Sequence, residues 1–429
     1  MAGGFANITT EDLLTLLDLN DPTVIDARSV DAYNGWRLRD EPRGGHIKGA
    51  RSLWYRWVGK AYWDDLIRKK EIDTKGRVVV YGYDREQSTR VASALHEAGC
   101  KDLQIYDDFV DGWSANPEPP MERLARFDQL VHPGWLDRLI KGGKPEQYDG
   151  RPFAVCHAHY RNPRDYNIGH IPGAIPMDTL ELEEPRMWNR RSPEELKSNL
   201  ERKGITHDTM VITYGRFSSP DNRDPFPGSN AGQIAAARCA AIMMYAGVED
   251  VRVLNGGLMS WEAAGLETTD RPAIPSEVDD FGTDVPARRD LMVDLTEAGE
   301  ILASKEGELV SIRSWQEFIG EVSGYNYIDI KGRIPGAVFG DCGSDAYHME
   351  NFRNPDHTTR EYGEIARNWE ESGIIPDKRI AFYCGTGWRA SEAFLNAYLM
   401  GWDNISVFDG GWMAWSNDPA NPIQTGIPD

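Results

Sequence analysis

Residues 380–391, IAFYCGTGWRAS, place Cys384 between an apolar run and two glycines. A thiol in that position is either a nucleophile or a small apolar side chain ending a strand. Ile380–Tyr383 reads as a strand, and a helix is expected from Ala390. Cys384 therefore falls on a strand-to-helix loop, where parallel α/β sheets bind their ligands. Gly385 and Gly387 permit backbone conformations closed to other residues, so that successive amide N–H groups converge on one point. Such a nest, backed by the positive end of the following helix, stabilises an anion and favours thiolate over thiol. Thr386 and Arg389 offer further donors. Cys384 is the candidate nucleophile, with Gly385, Thr386, Gly387, Trp388 and Arg389 as its loop.

The elements that position this loop occur three times. The turn GHIKGA at 45–50 recurs as GHIPGA at 169–174 and, weakened, as GRIPGA at 332–337. Each copy follows an apolar run (VIDARS, FAVCHA, LVSIRS) and precedes a second one (RVVVYGY, MVITYGR, RIAFYCG). A helix-patterned segment ending at glycine comes next, then a short alternating run with a closing glycine and tryptophan signature, as in ISVFDGGWMAW. Features repeating in one order define three domains, at 5–116, 127–268 and 287–421, joined by the proline-rich polar stretches ANPEPPMER and TTDRPAIPSEVDDFGTDVP. Strands alternating with helices predict an α/β fold, a parallel sheet in each domain with helices on both faces. Tyr81 and Tyr214 are read at the position of Cys384 in the first two domains, which are then expected to be inactive in transfer.

This order of features resembles the rhodanese domain, over essentially the whole chain. Three copies with a loop cysteine only in the last are similar to the three-domain rhodanese-like sulfurtransferases of bacteria. The resemblance implies a small, mostly parallel five-stranded sheet per domain and sulfane-sulfur transfer through a cysteine persulfide. Cys384 thiolate would take the outer sulfur of a donor and pass it to a thiophilic acceptor such as cyanide or a thiol, in two half-reactions with ping-pong kinetics. The loop beginning CGTG is similar to mercaptopyruvate-type loops, but Trp388-Arg389 departs from both known donor types. Thiosulfate is the expected donor; the alternatives are a mercaptopyruvate-type sulfurtransferase, or a sulfur-carrier or scaffold protein in which Cys384 is loaded by a partner's protein persulfide. Family members bind anionic donors with two arginines spaced four apart. Arg313 matches the first, while Glu317 stands at the second and is expected to repel an anion. Lys331 and Arg333 are candidate replacements, and His348 is a further candidate substrate-binding residue.

Competing chemistries are weaker. A Cys-loop phosphatase needs H-C-x5-R, whereas Cys384 and Arg389 are spaced C-x4-R after a tyrosine. His46 and His170 read as turn anchors, and Cys100, Cys156 and Cys239 as packing. Cys342 is a candidate resolving thiol, and His348 and Asn351 are candidate pocket residues on a segment unique to the third domain. Five scattered cysteines give neither a disulfide framework nor zinc-ligand spacing, and no cofactor or metal is expected.

The 47 basic against 68 acidic residues give a formal charge of −21, which argues against nucleic acid or an anionic membrane as partner. No apolar run approaches the roughly 18 residues of a spanning helix. The opening MAGGFANITTEDLL lacks the pattern of a signal peptide. The compartment stays open: periplasmic if a leader was removed, otherwise cytoplasmic. Three domains already bury interfaces of their own, so a soluble monomer is expected.

Overall fold

The computed structural model describes residues 4–19, 21–216 and 232–428, in two compact units, Met1–Asp128 and Gln129–Asp429.

In the first unit, strands β1 (Ala6–Asn7), β2 (Thr23–Asp26), β3 (Arg51–Ser52), β4 (Arg77–Tyr81) and β5 (Asp102–Tyr106) form one sheet in the order β1-β5-β4-β2-β3. Every pairing is parallel. The central strand RVVVY is β-branched and buried beyond its first residue, as a strand covered on both faces should be. Helix α1 (Arg85–Glu97) follows it, with the Asp84 carboxylate accepting the Gln87 N–H at its start.

The second unit holds two more sheets of the same topology. Strands β6 (Leu130–Val131), β7 (Phe153–His159), β8 (Ile175–Asp178), β9 (Met210–Tyr214) and β10 (Asp250–Leu254) lie in the order β8-β7-β9-β10-β6. Strands β11 (Met292–Val293), β12 (Gly307–Ser311), β13 (Val338–Phe339), β14 (Arg379–Tyr383) and β15 (Ile405–Phe408) lie in the order β11-β15-β14-β12-β13. Three parallel five-stranded sheets thus share one architecture.

The second and third domains do more than adjoin. Helix α2 (Gly232–Ala246) is buried at all fifteen positions, as its nearly uninterrupted apolar sequence requires. It packs against α3 (Trp388–Leu399), and one hydrophobic cluster runs through both domains, from Val211 and Ile242 to Phe382 and Phe394. The segment between them, expected as a polar linker, is pinned to the second domain. Phe281 is fully buried, its N–H donates to Glu201 and its carbonyl accepts from His207.

Strand register corrects one sequence reading. Asp26 pairs with Tyr81, His157 with Tyr214 and Ser311 with Tyr383. Tyr81 and Tyr214 therefore match Tyr383, and the positions equivalent to Cys384 are Gly82 and Gly215. A Cβ at Gly82 would meet Gln87 and Ser88 at 3.1–3.2 Å, and one at Gly215 would sit 1.9 Å from the Gly232 carbonyl oxygen. The misreading arose because all three strands end in tyrosine. The corrected positions carry no side chain at all.

Candidate active site

Cys384 is the first residue after β14 and is 1% exposed. Its sulfur accepts the Gly387 N–H at 3.2 Å. Gly387, at φ 118°, occupies a backbone region that other residues enter at a cost, and α3 starts directly after it, two residues earlier than the sequence suggested. Gly385 has no such torsion and is small for another reason. A Cβ there would lie 2.4–2.7 Å from Cε2, Cζ and Oη of Tyr325. Gly385→Ala is accordingly expected to displace Tyr325 and lower turnover by about tenfold or more, since small misplacements near reacting atoms are that costly. Steady-state kinetics beside a thermal melt would check this.

The loop carbonyls are held from the other side. Cys384 O accepts the Trp412 N–H at 2.8 Å and Gly385 O accepts the Met413 N–H at 2.9 Å, both from the first turn of α4 (Gly411–Asn417). Gly411 must be glycine for this approach, because a Cβ would stand 2.6 Å from the Cys384 carbonyl oxygen. Trp412 and Trp415 pack in the core as expected, but the backbone role of the glycine pair was not read from the sequence.

Arg389 is not a free positive charge. It is 2% exposed and pairs bidentately with Glu317, Nη1 to Oε2 at 3.0 Å and Nη2 to Oε1 at 2.8 Å. Nη2 also donates to the Tyr325 hydroxyl, and Nη1 reaches Cys342 Sγ at 3.1 Å. Glu317 is fully buried and caps the turn at Trp315–Phe318 with Ser314. Burial alone would raise its carboxyl, but Arg389, Arg313 and the Ser314 N–H hold it below the ordinary range. The expected anion-repelling carboxylate is thus neutralised inside the domain.

The other candidate binding residues are committed to the fold. Arg313 is fully buried, donating to Gly332 O at 2.6 Å and to Ser311 Oγ at 3.3 Å, with its guanidinium 4.8 Å from the Trp412 ring centre. Arg28 of the first domain makes the matching bond to Gly45 O at 2.6 Å in a domain with Gly82 at the position of Cys384, so this arginine serves the turn. Arg333 is buried and donates to Gly426 O, and Lys331 donates to Glu321 O at the surface. His348 is exposed and bonded to Asp345 at 2.7 Å, and Asn351 donates to Asp341 O. His46 and His170 are buried turn anchors, bonded to the carbonyls of Tyr33 and Tyr166. Cys342 faces Arg389 and Asp345 O, and burial pushes its thiol up to about 12 despite Arg389, a poor state for a resolving nucleophile.

Tyr325 and Tyr327 are what the sequence did not reveal. Tyr325 is half-buried and Tyr327 exposed along its outer face; desolvation of their hydroxyl ends and the nearby Cys384 sulfur push both phenols up, against Arg389, so each is an O–H donor at neutral pH. Their rings lie 5.1 Å apart. Tyr327 stands 4.7 Å from Trp188 of the second domain, and Tyr325 stands 6.4 Å from Tyr347. Trp388 sits at the domain seam. Its indole Nε1 is 3.0 Å from both Glu183 oxygens and its ring meets Tyr160 edge-on. Aromatic rings from two domains therefore run from the seam to the Cys384 loop, where the Gly387 amide binds the sulfur.

The Rhodanese-like domain model matches residues 9–116, 133–264 and 294–418. The chain belongs to the rhodanese-like family. Among curated proteins, this rhodanese-like chain is 42% identical to thiosulfate sulfurtransferase YnjE of Escherichia coli over 419 residues, covering 96% of this chain and 91% of that protein. It is 32% identical to the sulfur carrier protein TtuD of Thermus thermophilus, over 61% of this chain and 87% of that protein. Among solved structures, wild-type EanB is 54% identical with a TM-score of 0.97, covering 100% of this chain and 99% of that one. A tyrosine-to-phenylalanine variant of EanB, bearing a cysteine persulfide in a tetrahedral intermediate state with ergothioneine, matches with a TM-score of 0.96 at 54% identity over 99% of this chain and 100% of that one. Other EanB structures hold hercynine. This rhodanese-like chain is a sulfurtransferase.

Proposed function

We propose that Cys384 carries the sulfur as a persulfide and delivers it to the imidazole carbon of a hercynine-like betaine. The observation that carries this reading is Tyr325, a protonated phenol held against the Cys384 loop by Arg389. The tyrosine replaced in EanB stands as far before its persulfide cysteine as Tyr325 stands before Cys384. The threonine replaced in two EanB structures follows that cysteine by two positions, as Thr386 follows Cys384. The rim of Tyr325, Tyr327, Trp188 and Tyr347 suits a quaternary ammonium, which is attracted to aromatic faces.

The chemistry balances in two steps. Cys384 thiolate attacks the outer sulfur of the donor, a new S–S bond forms, and the donor's bond electrons leave with its remainder, sulfite in the case of thiosulfate. The acceptor carbon then bonds the terminal sulfur, its proton passes to a base, and the S–S electrons return to Cys384 as thiolate. Tyr325 donates a hydrogen bond or a proton where negative charge develops. Gly82 and Gly215 leave the first two domains without a loop thiol to carry sulfur in either step.

A second reading, transfer from thiosulfate to cyanide or a thiol, is favoured by the likeness to YnjE. Against a small-anion clamp stands the commitment of Arg313 to Gly332 and Ser311. The test is to supply thiosulfate or polysulfide with hercynine, cyanide or a thiol and quantify each product by mass spectrometry. Ergothioneine formed faster than thiocyanate supports the betaine reading. Thiocyanate alone would reject it in favour of the second.

A further inference from the structure

Three buried ionisable side chains, none of them in the loop, meet where the second domain touches the flank of Cys384. Arg238 on α2 and Glu183 have fully buried side chains, and Asp409, at the end of β15, is 1% exposed. Arg238 Nε donates to Glu183 Oε2 at 3.0 Å, and its Nη2 donates to Asp409 Oδ1 at 2.6 Å and to Trp188 O at 2.7 Å. Asp409 Oδ2 also accepts from the backbone and guanidinium of Arg190, both at 2.8 Å. The remaining Arg238 nitrogen, Nη1, is buried with no hydrogen-bond partner among the described residues. It lies 3.0 Å from where a Cβ at Gly387 would stand.

Each anchor lands next to a group that holds Cys384. Arg238 abuts Gly387, whose N–H binds the cysteine sulfur. Glu183 binds Trp388, the next residue. Asp409 precedes the Gly410-Gly411 turn whose following amides bind the carbonyls of Cys384 and Gly385. The third domain repeats the pair with the charges exchanged, Arg353 Nε to Glu392 Oε1 at 2.6 Å. Burying these ionisable groups is costly unless their mutual geometry is good, and here Arg238 bonds Glu183 at 3.0 Å and Asp409 at 2.6 Å.

We propose that Arg238 and Glu183 are positioning residues for the Cys384 loop, so that the second domain, with Gly215 in place of a loop cysteine, sets the aim of the Gly387 amide at the third domain's sulfur. This rests on Cys384 being the sulfur-bearing residue. Three full-length variants test it: Arg238→Met, Arg238→Lys and Trp388→Phe, the last removing the indole N–H bonds to Glu183 while keeping an aromatic ring against Tyr160. Thiosulfate-to-cyanide turnover and the rate of Cys384 alkylation by iodoacetamide would be measured beside circular dichroism.

A loop displaced by about 1 Å costs about 100-fold, so Arg238→Met is expected to lower kcat by about that factor with KM changed less than twofold. Arg238→Lys should restore part of the loss, Trp388→Phe should lose about tenfold, and alkylation should slow in the same order. Folded variants with wild-type kcat and alkylation would overturn the proposal, as would an effect on KM alone. Should Arg238→Met fail to fold, Trp388→Phe decides. Sulfur transfer that survives in Cys384→Ser would overturn the reading beneath the proposal. Wild-type kinetics in Arg238→Met, with Cys384 still required, would overturn the proposal alone.

Discussion

Replacing Cys384 with serine is expected to lower sulfur transfer by about 10⁴-fold or more, the scale seen when a covalent nucleophile is removed. Serine keeps the size and the hydrogen bond from Gly387, so the loop should fold unchanged and the melting temperature should stay close to wild type. The loss is chemical: a hydroxyl cannot hold sulfane sulfur as a stable anion in this cradle. Sister loops ending in Gly82 and Gly215 offer no substitute, so no residual rate should come from the first two domains. Thiocyanate formation from thiosulfate and cyanide, followed in wild type and variant, measures the effect.

The second large effect is on stability. Glu317→Ala should destabilise the fold by about 3–5 kcal/mol, because it leaves the Arg389 guanidinium buried without its carboxylate. Replacing both residues by methionine should cost less than the single change, since two apolar side chains need no counter-charge. Urea transitions followed by tryptophan fluorescence would compare them. The pH dependence has a definite sign. Glu317 is held below its ordinary range in the folded protein. Its contribution is therefore fully present above the unfolded carboxyl value of about 4.3 and fades as pH falls through the lowered one. The double variant should lose that part of the acid sensitivity.

Much of this was legible in the chain. The threefold order of turn, strand, helix and glycine signature fixed the number of sheets, and the odd cysteine among them marked the reactive loop. Glu317 and Arg389 were legible as residues but not as partners, because 72 positions separate them and neither belongs to the repeated pattern. Tyr325 and Tyr327 lie in a stretch peculiar to the third domain, so comparison with the sister domains was silent about them. The seam had left a trace: IAAARCAAIMMYA carries a single charge in an otherwise apolar helix. A charge there is buried among partners or the helix is not, and Arg238 is buried among Glu183 and Asp409.

The central claim is that sulfur resides on Cys384, and peptide mapping of the donor-treated protein tests it most directly. Burial pushes Cys156 and Cys342 up to about 12, raises Cys100 and lifts Cys239 further, so these four should remain unreactive thiols. After brief exposure to thiosulfate or polysulfide and alkylation of the persulfide, the account predicts one added sulfur, on the peptide containing Cys384, released when acceptor is supplied. Sulfur found first on Cys342 or any other cysteine, with Cys384 unmodified, would contradict it.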